Sequence, residues 1–184
     1  MRPLLRGEAL ALVRGGRPLF EGLDLELGPG EAMHVTGPNG SGKSSLIRLV
    51  AGLLRPNAGK IERADAALAD EGLALDRELP LGRALAFWNG PRLAEAMIAF
   101  GLEGLARVPV RLLSTGQAKR AQLARVMASG VPLWLLDEPL NGLDRAGTAE
   151  LESAIAIHRA NGGAVLAASH LQLGGDWRRM ELGQ

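Results

Sequence analysis

Cysteine and tyrosine are absent from this sequence of 184 residues, and only 3% of its residues are aromatic. Without cysteine the chain has no disulfide, no thiolate metal site and no cysteine nucleophile. No apolar run approaches the about 18 residues that a membrane-spanning helix requires, and the first residues lack the apolar segment of a signal peptide. The formal net charge of +1 favours neither nucleic acid nor an anionic lipid surface as a partner. We therefore expect a globular chain without a membrane span, working in the cytoplasm.

The most informative stretch is the segment 36–45, TGPNGSGKSS, which follows an apolar, strand-like run. It matches G-x-x-x-x-G-K-[ST], the phosphate-binding P-loop, a pattern that shuffling this composition would produce only about 0.003 times per chain. Glycines let backbone N–H groups surround phosphate oxygens, Lys43 can reach the β- and γ-phosphates, and the Ser44 hydroxyl can bind Mg²⁺. The predicted nucleotide-binding residues are Gly37, Pro38, Asn39, Gly40, Ser41, Gly42, Lys43, Ser44 and Ser45.

Apolar periodicity along the chain indicates an α/β fold. Strand patterns occur at 8–13, 23–27, 32–36, near 61, and at 66–69, 131–136, 164–168 and 177–182. Helical patterns occur directly after the P-loop and at 81–88, 92–100, 114–129 and 144–160. The strongly apolar 131–136 suits the centre of a parallel sheet. The predicted core is therefore a mostly parallel sheet, with an all-helical stretch from about 81 to 129.

Two carboxylates, Asp137 and Glu138, follow the apolar segment 133–136. An acidic pair after a strand is often only a helix-capping turn, but strand ends line the ligand crevice of a parallel sheet. In a chain with a P-loop, Asp137 can hold Mg²⁺, directly or through water. Glu138 can then polarise or deprotonate the water that attacks the γ-phosphate.

The segment Leu113-Ser114-Thr115-Gly116-Gln117 has two interpretations. Ser114 and Gln117 have the spacing of a capping box, which by itself predicts only the start of a helix. A capped helix N-terminus with a glycine is also an anion site, and Leu-Ser-x-Gly-Gln is similar to the signature of ATP-binding-cassette (ABC) ATPases.

The chain resembles this family over almost its whole length. The P-loop, the signature and the acidic strand end occur in the family's order, and 141–144 and Ser169-His170 look like its D-loop and switch histidine. The resemblance implies a P-loop NTPase fold with N-terminal antiparallel strands. It also implies a single domain over 1–184, with a small helical subdomain inserted at about 76–129.

In this family two cassettes pack head to tail and enclose two ATP molecules. The resemblance implies a homodimer in which Ser114 and Gly116 contact the γ-phosphate held by the other chain, with Gln117 and Asp144 at the same junction. It implies that His170 contacts the γ-phosphate of its own subunit and acts with Glu138 in catalysis. His34 and His158 are interpreted as structural residues, on a strand surface and a helix face.

Four segments narrow the resemblance to the haem exporter ATP-binding subunits of bacterial cytochrome c maturation. They are 12–23, 108–117, 132–140 and 158–163. The expected function is therefore an ATPase that energises haem export or release together with integral membrane permease subunits. The expected location is the inner face of the bacterial cell membrane. Nothing in the sequence indicates a haem site, because the three histidines do not form a ligand cluster by spacing.

The chain departs from the family in two places. The family usually has a glutamine after a core strand that contacts Mg²⁺ and attacking water, yet no glutamine lies between Lys43 and Ser114. Residues 70–72 align there, and Glu71 is a candidate substitute oxygen donor. The aromatic residue that often stacks on adenine aligns near Arg14, whose guanidinium can also stack on a base.

The sequence also allows other interpretations. Phe87 and Trp88 could pack on a membrane subunit, although burial among the helices is the favoured interpretation. A soluble ATP-gated assembly protein is a second functional class, but such cassettes usually carry coiled coils or a second cassette. A regulator without turnover is a third, and only the missing glutamine supports it.

Overall fold

The computed structural model describes residues 2–72 and 74–183. The strands are β1 (Leu5–Arg14), β2 (Arg17–Leu27), β3 (Ala32–Thr36), β4 (Ala58–Arg63), β5 (Ala66–Ala69), β6 (Leu133–Asp137), β7 (Ala164–Ala168) and β8 (Arg178–Glu181). The α-helices are α1 (Lys43–Val50), α2 (Leu81–Ala86), α3 (Leu93–Ala99), α4 (Thr115–Ala128) and α5 (Arg145–Ala160). Single 3₁₀ turns occupy Glu103–Leu105 and Val110–Leu112.

The first sheet is antiparallel and has the strand order β2-β1-β4. Its β1–β2 hairpin closes through Gly15 and Gly16, with φ of 56° and 77°. Positive φ at both central residues is what a two-residue hairpin turn requires, so glycine is well suited to both positions. The N-terminal antiparallel strands implied by the family resemblance are therefore present.

The second sheet is parallel, in the order β5-β6-β7-β3-β8. Strand β6 lies in its interior and is buried along its whole length, as its apolar sequence predicts. Because β7 pairs with both β6 and β3, the carboxyl ends of these three strands lie side by side. The carboxyl end of a parallel sheet is where ligands bind in α/β folds.

The two faces of the parallel sheet pack against different elements. Side chains alternate along β6: Leu133 and Leu135 join a core with α1 and the antiparallel sheet, whereas Trp134 and Leu136 join a core with the remaining helices. Full burial of each such side chain contributes about 1.5–3 kcal/mol. The sheet is thereby fixed between two layers, which holds its carboxyl edge in place.

The helical stretch from α2 to α4 agrees with the sequence pattern, and its treatment as a subdomain within one domain stays a prediction. In the described part of the chain, no helix combines the length and the apolar character needed to cross a bilayer.

Candidate active site

The loop between β3 and α1 has a backbone shape that requires glycine. Gly37 has φ 138°, and a Cβ there would overlap the Leu182 carbonyl oxygen. Gly42 caps α1 with φ 101° and packs against Leu19. L-residues with a side chain rarely adopt these angles. The P-loop conformation is therefore fixed by β8, β2 and its own glycines.

Lys43 lies across the inside of this loop. Its ammonium donates to the carbonyl oxygens of Gly37 at 2.8 Å and Pro38 at 3.0 Å, and the residue is only 7% exposed. The Ser41 Oγ is buried nearby without a partner among the described residues. A buried hydroxyl of this kind usually has a hydrogen-bonding partner. Pro38, Asn39 and Gly40 form the exposed tip of the loop. This donor set fits an anionic group such as a phosphate.

Ser44 and Asp137 are brought together although 93 residues separate them. The Ser44 hydroxyl donates to Asp137 Oδ1 at 2.9 Å, and Asp137 is 2% exposed. Burial raises the pKa of Asp137, and the hydrogen bond from Ser44 opposes that rise. No cluster of three His, Asp or Glu ligands occurs within residues 2–72 and 74–183. One hydroxyl and one carboxylate suit Mg²⁺, which takes its other ligands from phosphates and water.

Glu138 and His170 form a second pair at the same edge of the sheet. Glu138 Oε2 accepts from the His170 ring Nδ1 at 2.8 Å and from its backbone N–H at 3.3 Å. Glu138 has φ 46°, a left-handed conformation that is strained for glutamate. The strained backbone and the histidine together fix the direction of the carboxylate.

The segment 114–117 begins helix α4 with the predicted capping box. The Ser114 hydroxyl accepts from the Gln117 N–H at 3.2 Å, and the Gln117 side chain accepts from the Ser114 N–H at 2.9 Å. Asp144 caps α5 in a similar way, through the Gly147 N–H at 2.8 Å. The Gly142 carbonyl oxygen lies 3.1 Å from where a Gly116 Cβ would be. The signature segment therefore packs directly on 141–144 of the same chain.

The remaining predicted residues are placed less centrally. Arg14 is exposed at the end of β1, opposite Arg17 in the hairpin. His34 is buried, not on a strand surface as expected, and its Nε2 lies 3.0 Å from the Ser169 carbonyl oxygen. His158 is also buried. Its ring stacks on Trp134 at 4.0 Å, and burial lowers its pKa. Both histidines are therefore structural.

Phe87 and Trp88 contradict the favoured interpretation of burial among the helices. Phe87 is 79% exposed and Trp88 is 47% exposed. The two rings meet edge to face at 6.0 Å, and the Arg125 guanidinium lies 4.6 Å from the centre of the Trp88 ring. The pair therefore forms an exposed aromatic patch at the end of α2.

A cleft of about 510 Å³ joins α4 to the acidic strand end. Asp70, Glu71, Asp137 and Glu138 line it together with Lys119 and Gln122. Burial lowers the pKa of Lys119, and the four carboxylates oppose that shift. Sequence reasoning missed Lys119 and Gln122. Gln122 could have been noticed, because it is a polar residue at a position that the apolar pattern of α4 assigns to the buried face.

A glycine loop between a buried strand and a helix, facing an acidic pair at a neighbouring strand end, defines a P-loop nucleotide-binding domain. The family model described as ABC transporter matches residues 20–141. The cytochrome c biogenesis ATP-binding export protein CcmA of Sphingopyxis alaskensis is 57% identical over 94% of this chain and 93% of its own length. The protein of the same name from Novosphingobium aromaticivorans is 58% identical over 89% of this chain and 87% of its own.

Among solved structures, a putative ABC transporter ATP-binding protein from Pyrococcus furiosus has a TM-score of 0.84 and 19% identity, covering 97% of this chain and 96% of that one. That likeness establishes the fold. The chain belongs to the ABC transporter family of ATP-binding proteins, within its group of CcmA proteins. The prediction of an ABC-type ATPase subunit is thereby confirmed, and the soluble assembly or regulatory alternative is not favoured.

Proposed function

We propose that this chain hydrolyses ATP to drive a membrane complex for cytochrome c biogenesis, and that the cargo exported or released is haem. The names of its relatives support cytochrome c biogenesis and export. The observation that carries the proposal is the Ser44–Asp137 hydrogen bond, which joins the P-loop to the strand end that bears Glu138.

The proposed ATP site is built on the P-loop. The backbone N–H groups of residues 37 and 39–45 and the N-terminus of α1 hold the triphosphate, and Lys43 exchanges its two loop carbonyls for phosphate oxygens. Ser44 and Asp137 hold Mg²⁺, which when bound neutralises charge that develops on the phosphates. Arg14 is proposed to stack on the base, because the adjoining strand β2 packs its Leu19 against Gly42.

Glu138 is the proposed general base for the attacking water. Its carboxylate is already oriented by His170 Nδ1, so little reorganisation is required at the moment of proton transfer. His170 is half exposed, and its Nε2 is the atom proposed to reach the γ-phosphate. The His170 imidazole would then contact both the proposed base, Glu138, and the γ-phosphate that is transferred.

The second half of each site comes from another copy of the chain. Ser114, Gly116 and Gln117 lie at the exposed start of α4, a helix end suited to an anion. Their packing on 141–144 suggests that the signature and Asp144 approach the second nucleotide as one surface. We infer a head-to-tail homodimer with two shared ATP molecules.

The permease partner is proposed to contact Phe87 and Trp88. Large exposed aromatic residues of this kind are enriched at protein interfaces. Trp88 Nε1 donates to the Ala74 carbonyl oxygen at 3.1 Å, so a permease bound to this patch would contact the segment that follows residues 70–72. We propose that the chain works at the inner face of the bacterial cell membrane, bound to the permease.

The test is Glu138→Gln, which keeps the shape of the side chain and removes the base. We expect ATP turnover at least ~10²-fold slower, with ATP affinity retained and an ATP-dependent dimer in sedimentation. The parental chain should lose turnover when Mg²⁺ is chelated. Parental-rate hydrolysis by Glu138→Gln would show that Glu138 is not the base.

A further inference from the structure

The loop formed by residues 70–72 is held from two sides. On one side, Arg48 of α1 places its Nη2 3.7 Å from Asp70 Oδ2. On the other, the Gln122 carboxamide of α4 donates to the carbonyl oxygens of Asp70 and Gly72, the latter at 2.6 Å. The loop is thus the point where the P-loop helix and the signature helix are connected.

Gln122 is well placed to act on this loop. It is 3% exposed, and both donors of its amide are used by the two backbone carbonyls. Asp70 is half-buried and Gly72 is exposed, so losing this donor removes both of the hydrogen bonds that tie their carbonyl oxygens to α4, which favours movement of the loop. Glu71, between those two residues, lines the same cleft as Asp137 and Glu138. A displaced loop would therefore change the surroundings of the hydrolytic carboxylates.

We propose that Gln122 is a positioning residue for ATP hydrolysis, which fixes the 70–72 loop against α4 and so sets where Glu71 stands relative to Asp137 and Glu138. The inference rests on the proposed function, because it assumes that hydrolysis occurs at those carboxylates. No glutamine lies between Lys43 and Ser114. The side-chain amide that is hydrogen-bonded to this loop comes from Gln122 of α4, and not from a glutamine within the loop itself.

The helix that carries Gln122 also carries the signature. Ser114 caps α4, and Gln122 lies eight positions further on, or about 12 Å along the helix axis. A shift of the capped end of α4 would therefore reach the loop through Gln122.

Arg125 provides a matched control on the same helix. Its guanidinium donates to the Leu68 carbonyl oxygen at 2.5 Å, so it anchors β5 to α4, and its only interaction with residues 70–72 within the described part of the chain is through the charge of Asp70. Gln122→Met keeps side-chain length and packing and removes both hydrogen bonds to the loop. Arg125→Met removes a comparable bond one turn away.

The experiment measures kcat and KM for ATP, thermal stability and amide hydrogen exchange on the purified full chain. For Gln122→Met we expect kcat to fall about 10- to 100-fold, the range for small misplacements of reacting groups, with KM within twofold. Exchange at residues 70–72 should accelerate. Arg125→Met should lose similar thermal stability while kcat stays within twofold. If Gln122→Met does not fold, Gln122→Asn, which is too short to reach both carbonyls, takes its place.

The outcomes separate this inference from the proposed function. Equal kcat losses in the Gln122 and Arg125 variants would mean that Gln122 has only a structural role. An unchanged kcat in Gln122→Met would overturn the inference and leave hydrolysis at Glu138 intact. A parental chain without Mg²⁺-dependent turnover would overturn both.

Discussion

Gly37 and Gly40 both have positive φ in the P-loop, at 138° and 79°, but their surroundings differ. A Cβ on Gly37 would overlap the Leu182 backbone carbonyl and lie 2.9 Å from Ser41 Oγ. A Cβ on Gly40 would have no heavy atom within 4 Å. Gly37→Ala and Gly40→Ala therefore add the same methyl group, once against fixed backbone and once in open space.

The two alanine variants should differ in stability by several kcal/mol. In Gly40→Ala the left-handed conformation costs about 1–2 kcal/mol, and lower entropy of the unfolded chain returns about 0.4–1 kcal/mol. In Gly37→Ala backbone strain of about 1–3 kcal/mol adds to about 1–3 kcal/mol for overpacking that no side-chain rotation can relieve. The same entropy return of about 0.4–1 kcal/mol applies here, so Gly37→Ala should lose about 1–5.6 kcal/mol, a large part of a typical total of 5–15 kcal/mol.

Urea unfolding followed by tryptophan fluorescence measures this difference, because the chain has three tryptophans. A fluorescent ATP analogue then measures binding to the folded variants. Gly40→Ala should remain folded but bind the ATP analogue about tenfold more weakly, a loss of about 1.4 kcal/mol in binding free energy. The reason is that the triphosphate is proposed to occupy the space beside Gly40. Equal unfolding midpoints for the two variants would refute the assigned role of Gly37. Undiminished binding by Gly40→Ala would refute the position of the phosphates.

Two further predictions concern the histidines. His170→Ala removes the donor that orients Glu138, so ATP turnover in steady-state kinetics should fall about 10²-fold while ATP binding persists. An unaltered rate would show that the hydrogen bond between His170 and Glu138 is unimportant for turnover. Burial lowers the pKa of His158 below the ordinary 6.5, so its imidazole is neutral in the folded chain. Because the unfolded chain binds the proton more readily, the contribution of His158 to stability is lost as pH falls below 6.5. The difference in unfolding free energy between the parental chain and His158→Phe should change by at most about 1.4 kcal/mol per pH unit in that range, and a pH-independent difference would contradict it.

The parts of the site that were predictable from sequence depend on local chemistry. The P-loop pattern and the capping box at Ser114 each involve residues a few positions apart, whose hydrogen bonds follow from spacing. The apolar run at 131–136 likewise predicts a buried strand, because burial on both faces removes alternation. These features are present as expected.

Features that depend on distant contacts were not predictable. The bond from Gln122 to Gly72 spans 50 residues, and nothing in the period of α4 identifies the element that faces that side chain. The exposure of Phe87 was misjudged for a related reason. Two adjacent aromatic residues at the end of a short helix fit burial as well as exposure, and only the position of neighbouring helices decides between them.

The alignment of the catalytic residues depends on strand register. Ala168 at the end of β7 pairs with Asp137 of β6 on one side and with Val35 of β3 on the other. The P-loop, the acidic pair and His170 therefore all begin within one or two residues of the same level in the sheet. A slip of one residue would turn the apolar side chains of a strand to the opposite face, where the other core would not accommodate them. The two cores that bury these strands thus also maintain the positions of Ser44, Asp137, Glu138 and His170, so substitutions that loosen β7 should reduce turnover before they unfold the chain.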